Sequence, residues 1–216
     1  MQQLDTDAIE TFGIPRLLLM EHAGLAIAGL VQSLIPSRTQ PILICAGTGF
    51  NGGDGLAAAR HLHAHGYPLQ VVLTAPVSRL AGEPAVFAAI VQRLGITLVD
   101  ASAPSALASV SASMAQCALI VDALLGIGIR GTVRDPAASL IRLMNASQKV
   151  VVAADLPSGL DADAGTVQGV AVRATHTVTF GLPKRGCFLA EGPAHTGSLT
   201  VAPITFPPQL LEGMFP

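Results

Sequence analysis

Charge is scarce in this chain: Asp, Glu, Lys and Arg make up 12% of 216 residues, the formal net charge is -2, and the basic residues are scattered. That leaves no electrostatic footprint for nucleic acid or an anionic membrane surface. Cysteine is equally thin, with Cys45, Cys117 and Cys187 an odd number that includes no C-x-x-C pair. They read as small core residues of a protein kept in a reducing compartment. The opening "MQQLDTDAIETFGIP" lacks the basic flank and apolar run of a signal peptide. The stretch "LLLMEHAGLAIAGLVQSLI" is broken by Glu21 and His22 before it reaches the ~18 apolar residues of a membrane span. The expectation is a soluble cytoplasmic protein with no nucleic-acid or membrane partner.

What is abundant is apolar: half of the residues are hydrophobic, with Ala, Val, Leu and Gly dominant. That composition suits a sheet covered by helices on both faces. Apolar runs ending in glycine or acid loops alternate with Ala-rich stretches of helical period, the pattern of βαβ units and a mostly parallel sheet. Strands are expected at 41–46, 69–74, 96–99, 117–122, 149–154, 175–180 and 198–202, and helices near 53–65, 82–94 and 136–146. An amphipathic helix over about 15–33 precedes the sheet, placed to cover it or to meet another subunit. One domain over 1–216 is expected, with 206–216 an extended exit or linker.

Open parallel sheets bind ligands outside the carboxyl ends of their strands. Three loops fall there: "GTGFNGGDG", "DALLGIGIRGT" and "DLPSGLDADAG". In the first, Gly47, Gly49 and Gly52 fit the dinucleotide fingerprint, but "LQVVLTAPVS" has no acid to hold a ribose hydroxyl as a redox enzyme requires. The glycines let backbone approach a phosphate at a helix start, while Asn51 or Asp54 reads equally as a helix cap. In the second, Asp122 is placed either to ligate a cation or sugar hydroxyl, or to accept local backbone N–H bonds.

In the third loop, Asp155 ends a buried strand, where a partly desolvated carboxylate serves as general acid or base. Ser158 offers oxygen ligands but not a nucleophile, since "PSG" is not the G-x-S-x-G elbow. Asp161 and Asp163 read as solvated turn residues, and His61 and His65 as surface histidines. Lys184 and Arg185, in "TFGLPKRG", face either a substrate phosphate or solvent.

"NGGDGLAAARHL", "VDALLGIGIRG", "DLPSGLDADAGTVQG" and "TVTFGLPKRG", in that order, together with "GIPRLLLMEHAGLAIA", resemble the NAD(P)H-hydrate epimerase family across nearly the whole chain. The resemblance implies an α/β, Rossmann-like three-layer sandwich with a preceding N-terminal helix. It implies an isomerase that interconverts the R and S forms of hydrated NADH and NADPH, with a potassium ion. Phe50, Asn51, Gly52, Gly53 and Asp54 would contact the hydrated nucleotide, as would Gly126, Ile127, Gly128, Ile129, Arg130, Gly131, Thr132 and Asp155. Asn51, Asp122 and Ser158 would hold potassium, with Asp155 the catalytic group. A homodimer through the first helix and a functional link to an NAD(P)H-hydrate dehydratase are also implied. The chain departs from the family at Phe50 and His22, where the family carries Asn. The rival is a non-catalytic nucleotide-binding or scaffold module of the same fold.

Overall fold

The structure is a computed structural model that describes residues 2–211, so part of the expected linker, 212–216, lies outside the described residues. Seven strands form one sheet: β1 Ile42–Ala46, β2 Leu69–Leu73, β3 Thr97–Asp100, β4 Leu119–Ala123, β5 Val150–Ala154, β6 His176–Phe180 and β7 Ser198–Ala202. The order is β3-β2-β1-β4-β5-β6-β7, and every pairing is parallel. The "mostly parallel" sheet of the sequence is thus wholly so, and all seven expected strands are present within one or two residues of their bounds.

The strands read as unbroken apolar runs because both faces are covered. In β1, Ile42, Ile44 and Ala46 face one core with Leu119, Val121 and Ala123 of β4. Leu43 and Cys45 face the other with Ile120. The first core is roofed by α2 Arg16–Leu34, α3 Phe50–Ala64 and α4 Gly82–Arg93, the second by α5 Leu107–Gln116 and α6 Ala137–Ala146. The two edge strands, β3 and β7, are the least buried.

Helix α2 is long and apolar enough by length and composition to cross a membrane, with a mean hydropathy of 1.5 over its most apolar window. Its inner face nevertheless belongs to the core, through Leu19, Met20, Ala23, Ile27 and Val31. It lies close on α3: a Cβ on Gly24 would fall 2.4 Å from the Ala57 methyl. Glu21, which interrupts the apolar run, pairs with Arg60 and lies 3.0 Å from His61 Nε2 on α3. His61 is therefore not a free surface histidine; burial and the Arg60 charge hold its pKa below the usual value. His65 is exposed, as expected, and so is His63.

Four of the helices were not anticipated, the last of them in the exit segment. α1 Gln2–Glu10 precedes α2, α5 fills the β3–β4 crossover, and α7 Gly192–Thr196 precedes β7. The exit segment is not wholly extended, because α8 Pro208–Leu211 forms and packs against α1. Ahead of it, Ile204 and Phe206 are buried in the first core, and Thr205 hydrogen-bonds His22 Nδ1 at 2.7 Å.

Candidate active site

Strand order reverses between β1 and β4, and the loops that follow them diverge at the carboxyl edge. A cavity of about 760 Å³ opens there. Of the sequence-selected residues, Phe50, Asn51, Asp54, Gly126, Ile127, Gly128, Ile129 and Asp155 line it. Arg130 faces a neighbouring cavity, while exposed Gly131 and Thr132 line neither.

The glycine-rich loop is shorter than expected. Helix α3 starts at Phe50 rather than near 53, so Asn51, Gly52 and Gly53 form its first turn. Gly52 and Gly53 are buried packing positions that do not line the cavity. A Cβ on Gly52 would strike the Gly47 carbonyl oxygen at 2.0 Å, and one on Gly53 the Met20 sulfur at 2.5 Å. No side chain caps the helix, and its first-turn N–H groups lie beside the cavity.

Asn51, Asp122 and Ser158 do converge. Fully buried Asp122 accepts from the Ser158 hydroxyl at 2.6 Å, the Ser158 N–H at 2.8 Å and the Leu124 N–H at 3.3 Å. Burial pushes its carboxyl up to about 6 against the opposing pull of those donors. The Leu125 peptide is gripped twice: its N–H donates to Ser158 Oγ at 2.9 Å, and its carbonyl accepts from Asn51 Nδ2 at 2.9 Å. Asn51 Oδ1 is left buried with no hydrogen-bond partner. Such an orphan acceptor costs about 1–3 kcal/mol unless something satisfies it.

Asp155 has φ 65°, a left-handed conformation rare outside glycine. Its N–H donates to the Val178 carbonyl at 2.8 Å. Its Oδ1 accepts from the Phe180 N–H at 3.1 Å and the Thr179 hydroxyl at 3.3 Å. Lys184 completes the arrangement by donating to the same Oδ1 and to the Phe180 carbonyl, 3.0 Å away. Both side chains are buried and both line the cavity. Sequence reasoning offered Lys184 a phosphate or solvent; it is buried away from bulk solvent, bonded to the Asp155 carboxylate and on the cavity wall.

Asp5, Thr6, Arg16, Met20, Thr74 and Ile204 also line the cavity and were missed. Asp54, partly buried, is pushed well above its ordinary carboxyl range by burial, then by Asp155 and Asp5, with Lys184 opposing. Asp5 is raised by burial and by Asp155. At the rim, Phe50 is 54% exposed, with the Arg16 guanidinium 4.3 Å from its ring centroid. Thr74 stands just past β2, where a redox Rossmann enzyme carries its ribose-binding acid. Asp161 Oδ1 accepts from the Asp163 and Ala164 N–H groups at 2.9 and 2.8 Å, a turn rather than a calcium loop.

This geometry defines the class, an α/β fold with a cavity at its sheet switch point, and comparison with known proteins defines the family. Residues 16–186 match the family described as YjeF-related protein N-terminus. The chain belongs to that family, the one that contains the NAD(P)H-hydrate epimerases. It is 38% identical over 202 residues to the NAD(P)H-hydrate epimerase of Limosilactobacillus reuteri, covering 94% of this chain and 91% of that one. It is 44% identical over 201 residues to the bifunctional NAD(P)H-hydrate repair enzyme Nnr of Pyrobaculum aerophilum, covering 93% of this chain. The match spans only 40% of that relative's length. The crystal structure of yeast YNL200c superposes with a TM-score of 0.78 at 23% identity, covering 93% of this chain and 84% of that one, which establishes the fold.

Proposed function

We propose that this chain interconverts the R and S forms of hydrated NADH and NADPH. The observation that carries the reading is the buried Asp155–Lys184 pair on the wall of a cavity roofed by glycine-rich loops. The hydrated ring holds its hydroxyl on a carbon beside nitrogen. The nitrogen lone pair can therefore expel that oxygen once it is protonated, and water can return to the other face. One proton is needed going out and one is recovered coming back, with no net redox change and no carbon acid ionised. The Lys184 ammonium supplies that proton across the shared hydrogen bond, the Asp155 carboxylate passing it to the leaving oxygen and returning it to the amine from the incoming water. The ammonium fixes the carboxylate and offsets its charge, and the apolar wall of Met20, Leu19 and Ile204 excludes competing water.

The donor set suits potassium. Asn51, Asp122 and Ser158 bring amide, carboxylate and hydroxyl oxygens together, the ligands of hard cations. Asn51 Oδ1, Asp122 and Ser158 would hold the ion, the orphaned acceptor being the one in want of a partner. Bound there, potassium would supply a fixed positive charge that ties the start of α3, the end of β4 and the loop after β5 together and favours a nearby phosphate. The exposed Leu18 and Leu25 of α2, seven residues apart on one helical face, support a homodimer through that helix. A dehydratase that consumes one epimer is the functional partner, in keeping with the bifunctional relatives.

The experiment is to incubate the pure R isomer of hydrated NADH with the protein and follow the S isomer by chromatography. Conversion well above the rate in buffer is expected. A rate equal to buffer would leave the non-catalytic scaffold reading standing.

A further inference from the structure

A second cavity, of about 600 Å³, adjoins the first. Ile127, Gly128, Ile129 and Lys184 line both, so a ligand seated against Lys184 can continue past the loop after β4 into the second space. Arg130 and Arg185 reach its wall from two different loops, and Asp161 and Asp163 from a third. Ion pairs among the described residues engage Arg60, His61, Arg142 and Lys184, so neither Arg130 nor Arg185 is tied to a carboxylate. Asp161 is occupied by its own turn, whereas the exposed Asp163 carboxylate takes no hydrogen bond.

We propose that this second cavity binds a nucleoside 5′-phosphate, the half of the dinucleotide remote from the hydrated ring. Arg130 and Arg185 meet its phosphates and Asp163 its sugar hydroxyls. The assignment rests on the epimerase reading for the placement of the other half. Guanidinium groups are suited to phosphate oxygens by their planar fork of donors. A site for a bare anion would gain nothing from a neighbouring carboxylate, but a ribose diol donates to one. The connectivity also agrees. With the reacting ring beside Asp155, the diphosphate that joins the halves crosses the shared wall, where Gly128 leaves backbone open to it. Both cavities lie within the ordinary range of ligand-site volumes.

The test compares hydrated NADH with hydrated reduced nicotinamide mononucleotide, which has the same reacting ring and lacks the adenosine phosphate. For the unaltered protein, KM for the mononucleotide is expected to be about 10- to 100-fold higher with similar kcat, the mark of lost uniform binding. Arg185→Ala should raise KM for the dinucleotide about tenfold and so collapse the ratio between the two. Calorimetry with AMP gives a readout independent of turnover, with the same variant weakening AMP about tenfold. Equal KM values together with no AMP binding overturn the subsite and leave the epimerase intact. No turnover of either substrate, with AMP binding that Arg185→Ala weakens, sinks the epimerase reading and keeps the nucleotide site.

Discussion

The Lys184 ammonium is bonded to the Asp155 carboxylate inside the protein, although 29 residues separate the two in the chain. Removing one partner of a buried pair strands the other, at a cost of about 3–5 kcal/mol. Lys184→Met should therefore lower the melting temperature sharply, and Asp155→Asn combined with it should recover most of the loss. Asp155→Asn alone should also melt lower, and should cut epimerisation by about 100- to 10,000-fold at temperatures where circular dichroism shows it still folded. Activity within a few-fold of the unaltered protein would place the proton elsewhere.

Asp54 makes a pH-dependent prediction. Its folded-state pKa lies above the ordinary 3.8, so the folded chain keeps a proton that the unfolded chain releases. The contribution of this carboxyl is fully present below that ordinary value and is lost as pH rises through the raised one. Asp54→Asn should accordingly melt higher than the unaltered protein at pH 8 and no higher at pH 4. A gain of equal size at both would exclude a titrating cause.

Potassium should raise the melting temperature saturably, and sodium or choline should do so less. Asn51→Ala removes the orphaned acceptor together with the hydrogen bond to the Leu125 carbonyl, so stability without potassium should fall modestly and the potassium-dependent rise should disappear. Identical melting in potassium, sodium and salt-free buffer would rule out the ion.

Leu18 and Leu25 are 52% and 50% exposed on the outer face of α2. Leu18→Glu with Leu25→Glu should convert a dimer to a monomer in light scattering, leaving the sheet core untouched. A monomeric unaltered protein would refute the interface.

The sheet was legible because strands covered on both faces must be apolar throughout, so β1, β4 and β5 stand out without alternation. The site loops were legible because the fold rule selects carboxyl ends, and Asp122, Asp155 and Ser158 all lie there. Helix α5 was not legible: "LASVSASMAQ" carries three serines, which compete for backbone hydrogen bonds, and only Val110 and Met114 are buried. The start of α3 was misplaced for a related reason. Glycine disfavours helix, yet Gly52 and Gly53 are helical because close contact with Gly47 and Met20 outweighs propensity. Asp5 and Ile204 could not be placed at the cavity, since their neighbours there are distant in sequence. Nothing local marks Lys184 as the partner of Asp155.

The position of β1 bears on how the chain is made. It pairs with β2 on one side and with β4, Leu119–Ala123, on the other. As the chain leaves the ribosome, one edge of β1 therefore stays open until β4 has emerged, exposing Ile42 to Ala46 to any other strand. A fragment ending before Leu119 would keep the glycine-rich turn and lose Asp122, Ser158, Asp155 and Lys184, so it would inherit the most recognisable motif and none of the chemistry.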